Sequence, residues 1–258
     1  ARRAIDAGVR RFAFASSCSV YGKGMFEMLD EHSPANPVSV YAQSKLESER
    51  VLLAVKGDTF EPVIARPATL FGWSPRMRFD LAINLMVATA SRNREINVYG
   101  GGSQWRPFVH VRDAARAFAD MLDAPAAKVS GQVFNVGSDT NNYRIIDLAH
   151  LVAGLLDNIP INVAKEDEDQ RSYNVQFGKI EKVLGFRPEW SAERGAVEIR
   201  DWLREDPVDP FLSIHFNVRR MKELLGMPAA LGGEPVSPRF IPLSPPSIGE
   251  EEEHAVIE

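Results

Sequence analysis

The sequence predicts an α/β protein whose core is a parallel sheet covered by helices on both faces. Three observations point there. Strand-length apolar runs alternate with helix-length amphipathic stretches, clusters of Gly, Pro, Asn and Ser separate them, and 45% of the 258 residues are apolar, enough for a sizeable core.

Taken in order, residues 1–7 read as the end of a helix, Gly8 as its stop, and 9–15 as a strand with a basic entry at Arg10 and Arg11. A loop rich in turn formers, Ser33-Pro34-Ala35-Asn36-Pro37, leads to a helix over 41–55. A strand at 62–65 ends at Arg66-Pro67, and a helix over 80–91 precedes a short strand at 96–99 and the turn Gly100-Gly101-Gly102. Strands at 108–111, 132–136 and 161–164 then alternate with helices over 113–122, 145–156, 179–184 and 192–204. From about 205 onward, Pro and Gly pairs such as Gly232-Gly233 and Pro245-Pro246 read as a linker rather than a core, and the acidic run Glu250 to Glu253 opens a further amphipathic helix. No internal repeat is visible.

Thirty basic against thirty-five acidic residues give a net charge of −5, with no cationic block to track a nucleic acid or an anionic membrane. No apolar run approaches the roughly 20 residues of a membrane span. The basic start, Ala1-Arg2-Arg3, lacks the apolar stretch of a signal peptide. Cys18 is the single cysteine, so no internal disulfide forms, and neither CxxC nor HExxH spacing suggests a bound metal. A reducing, cytoplasmic setting is expected.

The chemistry gathers in two segments. Tyr41 and Lys45 sit four apart at the start of a predicted helix, which places an ammonium beside a phenol on one face. A free tyrosine has a pKa of about 10, and a neighbouring cation favours its phenolate. By itself this spacing also describes an exposed tyrosine beside a surface lysine. The second segment, "FAFASSCSVYG" from Phe12 to Gly22, places a small polar cluster at the carboxyl end of a parallel strand, where α/β sheets bind ligands. Ser17 there can donate a hydrogen bond to a substrate oxygen while Tyr41 exchanges its proton.

Five segments in fixed order, "SSCSVYG" (16–22), "YAQSK" (41–45), "ARPATLFG" (65–72), "WRPFVHVRDAARAF" (105–118) and "FNVGS" (134–138), resemble the extended short-chain dehydrogenase/reductases, the NAD-dependent nucleotide-sugar epimerases and dehydratases. The resemblance runs from residue 1 to about 204. It implies a partial Rossmann-like doubly wound sheet with a smaller α/β substrate-binding region. Residues 1–75, with sheet elements from about 107–138, would be the second half of the NAD-binding domain, and 76–204 mainly the substrate-binding region.

Carried over by position, the resemblance makes Tyr41 the acid/base, Lys45 the residue that lowers its pKa and holds the nicotinamide ribose, and Ser17 the third catalytic member. Ser16 and Pro67 would border the cofactor. Asn84 and Arg106 match contacts to a substrate diphosphate, Asn97 and Tyr99 flank the nucleotide base, and Asp169 and Arg171 lie in a segment that meets ribose or phosphate. The residues alone offer plainer readings: Pro67 ends a strand, Asn84 lies on a solvated helix face, Asp169 belongs to an acidic loop, and His110 is a packed core histidine.

The resemblance also bears on the reaction. Family 4,6-dehydratases carry an Asp-Glu pair directly after the catalytic Ser/Thr, whereas Cys18 and Ser19 stand here, which favours an epimerase acting through a transient keto-sugar. A nucleotide-sugar dehydrogenase or ketoreductase would use the same three residues, and a non-catalytic sugar-nucleotide binding module is the alternative of another class.

The family's glycine-rich cofactor turn is not among these residues. Gly100-Gly101-Gly102 precedes a strand, whereas a phosphate cradle opens a helix. The expectation is therefore a truncated chain that binds NAD weakly by itself, with NADP left open. The stretch "FIPLSPPSIGEEEEHAVIE" (240–258) resembles the opening of PLP-dependent sugar aminotransferases, implying a fused or partner transaminase whose PLP site lies outside this chain. A nucleotide-diphosphate sugar is the expected ligand, and a homodimer is an assembly the resemblance allows.

Overall fold

The computed structural model describes residues 1–22, 28–164, 172–206 and 208–225. Asp169, Arg171 and the aminotransferase-like stretch lie outside the described residues.

After helix α1 (Arg2–Asp6), Gly8 turns the chain with φ of +72° into β1 (Arg11–Ala15). The helix that follows, α2 (Val40–Ala54), begins at Ser39, whose side chain accepts from the Ala42 N–H and satisfies one of the free donors of the first turn. β2 (Glu61–Pro67) pairs in parallel with β1, from Arg11 against Glu61 to Ala15 against Ala65, and on its other edge with β6 (Val133–Val136). Its side chains are buried from Glu61 through Arg66, as expected for the middle strand of a sheet covered on both faces.

The alternation of side chains along β2 defines those faces. Val63 and Ala65 join a core with Ala114, Ala117 and Met121 of α4 (Val111–Asp123), while Ile64 joins Leu52 and Leu53 of α2 and Ile5 of α1. The predicted α/β layering therefore holds around this sheet.

The remaining strands depart from a single parallel sheet. β3 (Thr69–Phe71) runs parallel to β5 (Trp105–His110), but β5 pairs antiparallel with β7 (Asn142–Arg144). β4 (Ile96–Val98) and β8 (Ile161–Val163) form a separate parallel pair. Between β4 and β5 the three glycines at 100–102 all take positive φ, so the turn leads into a strand and opens no phosphate-binding helix. Short helix α5 (Ala126–Val129) precedes β6.

A second core joins Phe71 and Phe108 to α3 (Ala82–Asn93), α6 (Ile145–Gly154) and α8 (Ala192–Glu205). Helix α7 (Gly178–Leu184) instead sends Ile180 into the core beneath β2 and β6. Where β3 ends, Gly72 has φ of +101°, and a Cβ there would lie 2.0 Å from His110 Nε2, so glycine lets the two segments touch.

The stretch after α8, expected to be a linker, contains α9 (Asn217–Leu225) and folds back on the molecule. Phe216 is buried in the second core, and the Phe79 N–H donates to the His215 carbonyl at 3.1 Å. The Asp-Pro pairs at 206–207 and 209–210 read as breakers and mask the buried anchor Phe216.

Candidate active site

The end of β1 places Ser16 inward and Ser17 outward. Ser16 is buried and its hydroxyl donates to Glu49, so its side chain is turned into the protein and away from any ligand at the rim. Ser17 caps a short 3-10 turn, Cys18–Tyr21, its oxygen accepting from the Ser19 N–H at 3.1 Å. Cys18 is 1% exposed and its Sγ donates to the Arg66 carbonyl at 3.1 Å. Burial pushes its thiol pKa far up, against the opposing charge of Arg66, so it offers neither an acid nor a nucleophile at neutral pH.

Tyr41 opens α2 and is 47% exposed. Partial burial raises its phenol above the ordinary value, while the neighbouring Ser17 hydroxyl and the charge of Arg78 oppose the rise. The lowering expected from Lys45 is not what this geometry expresses. The Lys45 ammonium donates to the Ala15 carbonyl at 3.0 Å and lies 5.4 Å from the Tyr41 ring centroid and 5.3 Å from that of Phe14. It is thus held between the strand end and two aromatic faces.

Arg78 was not foreseen from the sequence. Its guanidinium forks onto the Asp80 carboxylate, with Nε to Oδ1 and Nη2 to Oδ2 both at 2.9 Å. Asn84, expected on a solvated face or at a diphosphate, is 2% exposed and braces this segment. Its Oδ1 accepts from the Gly72 N–H at 3.1 Å and its Nδ2 donates to the Arg78 carbonyl at 2.9 Å.

The structure thus brings Ser17, Tyr41 and Lys45 together, with Arg78 acting on the phenol through its charge and Asn84 bonded to the Arg78 carbonyl. Pro67 ends β2, the strand beside β1. Arg106 lies on β5, buried at 3% and stacked over Tyr173 at 5.2 Å. This is a planar cation in a packed setting rather than a surface arginine. Asn97 is exposed on β4 and accepts from Asn162 of β8 at 3.2 Å, and Tyr99 is exposed just beyond it. Among the described residues, no group of His, Cys, Asp and Glu side chains could hold a metal ion, and no helix is long and apolar enough to cross a membrane.

A family model described as the NAD dependent epimerase/dehydratase family matches residues 1–137. The chain belongs to that family. This epimerase/dehydratase family member is 25% identical over 213 residues to the dTDP-D-glucose 4,6-dehydratase of Mus musculus, an alignment that covers 79% of this chain and 58% of the relative. It is 24% identical to the uncharacterized UDP-glucose epimerase YtcB of Bacillus subtilis, covering 72% of this chain and 58% of that one. In three dimensions it is similar to MoeE5, solved in complex with UDP-glucuronic acid and NAD, with a TM-score of 0.69, 28% identity, and coverage of 79% of this chain and 68% of the other. The family member therefore spans somewhat more than half the length of these two curated relatives, and its Rossmann-like extended short-chain dehydrogenase/reductase fold is established.

Proposed function

We propose that the protein is an NAD-dependent nucleotide-sugar epimerase that works through a transient keto-sugar. The observation that carries this reading is the rim at the end of β1. Ser17 stands beside Tyr41 there and its hydroxyl opposes the rise in the phenol's pKa, while the two positions after Ser17 hold a buried thiol and a neutral hydroxyl instead of carboxylates. Eliminating water from a sugar needs an acid and a base at neighbouring carbons. Moving a hydrogen to the other face of one carbon needs neither beyond the tyrosine.

The residues present suit the cofactor that the family name implies. Lys45 commits one N–H to Ala15 and has further donors for the hydroxyls of a ribose. Pro67 stands at the end of the adjacent strand. Bound NAD would take up and return the hydride. Tyr41 removes the proton of the sugar hydroxyl as the keto-sugar forms and returns it afterwards, Ser17 orients that hydroxyl, and Arg78 steadies the phenolate. Arg106 and Asn84 are proposed for the diphosphate, Asn97 and Tyr99 for the base, and Asp169 and Arg171 for ribose or phosphate.

A raised phenol holds its proton at neutral pH, which is the form a ketoreductase would use to protonate its product. That observation keeps a dehydrogenase or ketoreductase as the second reading. Incubation with NAD and either UDP-glucose or dTDP-glucose, followed by proton NMR of the sugar, separates the readings. A C4 epimer without net reduction of NAD supports the proposal. A 6-deoxy-4-keto sugar would replace it with 4,6-dehydration, and stoichiometric NADH with dehydrogenation.

A further inference from the structure

The Ser17–Tyr41 rim stands on a buried ion pair. Tyr41, Lys45 and Glu49 follow one another at intervals of four along α2 and form one stripe of the helix. Tyr41 is half exposed at one end of the stripe, whereas Glu49 is 2% exposed at the other. Its carboxylate takes Arg66 of β2 in a two-point fork, Oε1 accepting from Nε at 3.0 Å and Oε2 from Nη2 at 2.7 Å. Oε1 also accepts from the Ser16 hydroxyl. The backbone carbonyl of the same Arg66 accepts from Cys18 Sγ at 3.1 Å. Ser17 is therefore bracketed by two residues tied to Arg66, one through Glu49 and one directly.

The third side of the guanidinium is also used. Nη1 donates to the Tyr21 hydroxyl at 3.0 Å, and that hydroxyl donates to Asn135 Oδ1 of β6 at 2.8 Å. A charge pair buried this deeply adds little net stability over an apolar alternative, and its best-attested use is to select one arrangement of the elements it joins. The elements joined here are the helix that carries Tyr41 and the turn that carries Ser17.

We propose that Glu49 and Arg66 are positioning residues, a buried pair that sets where Ser17 stands relative to Tyr41 by locking α2 and the 16–18 turn to the same strand. The catalytic meaning of that placement rests on the function proposed above; the geometric role does not. Neither residue reaches the rim, so both act through the groups they hold.

Position and charge make opposite demands on Tyr41. If Glu49 acted only as a nearby negative charge, Glu49→Gln would leave Arg66 uncompensated and move the phenol's titration down. If it positions Ser17, the same change displaces the Ser17 hydroxyl, which holds the phenol's pKa down, and titration moves up. The experiment is a titration of [13Cζ]tyrosine-labelled full chain by carbon NMR, with the Tyr41 resonance assigned by Tyr41→Phe, for Ser17→Ala, Ser16→Ala and Glu49→Gln. Ser16→Ala removes one hydroxyl and keeps the ion pair, so it decides the matter even where Glu49→Gln fails to fold.

The expected result is an upward shift in Ser16→Ala and Glu49→Gln, in the direction of Ser17→Ala. In the active protein, kcat should fall about 10- to 100-fold with KM for the nucleotide sugar within about twofold. An unchanged midpoint in Ser16→Ala, or a downward shift in Glu49→Gln, overturns the positioning role. Full turnover by Tyr41→Phe alongside the upward shifts would instead leave the positioning intact and remove the catalytic reading.

Discussion

The Asp80 carboxylate joins the first turn of α9 to Arg78: its Oδ2 accepts from the Asn217 N–H at 3.0 Å and from Arg78 Nη2 at 2.9 Å. Asp80 is 2% exposed, so these bonds replace its hydration almost entirely. Asp80→Asn keeps the shape but removes the charge that both donors meet. The change should cost about 2 kcal/mol, the range for hydrogen bonds to a charged group, read as a lower urea midpoint.

Arg78 supplies a cation that opposes the rise in the Tyr41 phenol. Arg78→Met keeps much of the aliphatic length and deletes the charge, so the Tyr41 titration should move further up. Carbon NMR of labelled tyrosine reads this directly, and a downward or absent shift would show that Arg78 does not act on the phenol.

His110 gives a pH dependence with a definite sign. It is fully buried, stacked on Trp190 with centroids 4.1 Å apart, and its Nε2 lies 2.8 Å from Glu198 Oε2. Burial lowers its pKa below 6.5 and outweighs the opposing Glu198, with Arg112 adding to the lowering. The unfolded chain then binds more protons in the range below 6.5, so this stability is complete above that pH and is lost as the pH falls through the folded value. Urea midpoints should therefore drop between about pH 7.5 and about pH 5.5, and drop less in His110→Gln. An equal drop in both proteins would remove His110 as the cause.

Much of the local architecture was legible because it rests on local signals. Gly8 at positive φ, Ser39 at a helix start and the apolar run of β2 each act within a few residues of themselves. Tyr41, Lys45 and Ser17 were legible through motif order, and they do converge. What escaped depends on distant partners. The three-residue strands β3 and β7 are too short to show a period, and the antiparallel β7 arises only against Trp105–Pro107. Glu49 and Arg66 look like ordinary surface charges in a linear reading, and only the packing of α2 on β2 buries them as a pair. Phe216 was hidden among helix breakers, and Arg78 had no local feature to distinguish it from Arg76 two residues away.

The proposed role of Tyr41 as the group that moves the proton in a nucleotide-sugar reaction is read in the turnover of Tyr41→Phe beside the unaltered protein, with NAD and the nucleotide sugar that the latter converts. The substitution removes one oxygen and leaves the ring and the Lys45 contact in place. Turnover should fall on the order of 100- to 10,000-fold, the usual loss for a positioned acid/base, with the substrate KM little changed. Turnover equal to that of the unaltered protein would remove Tyr41 as the proton carrier.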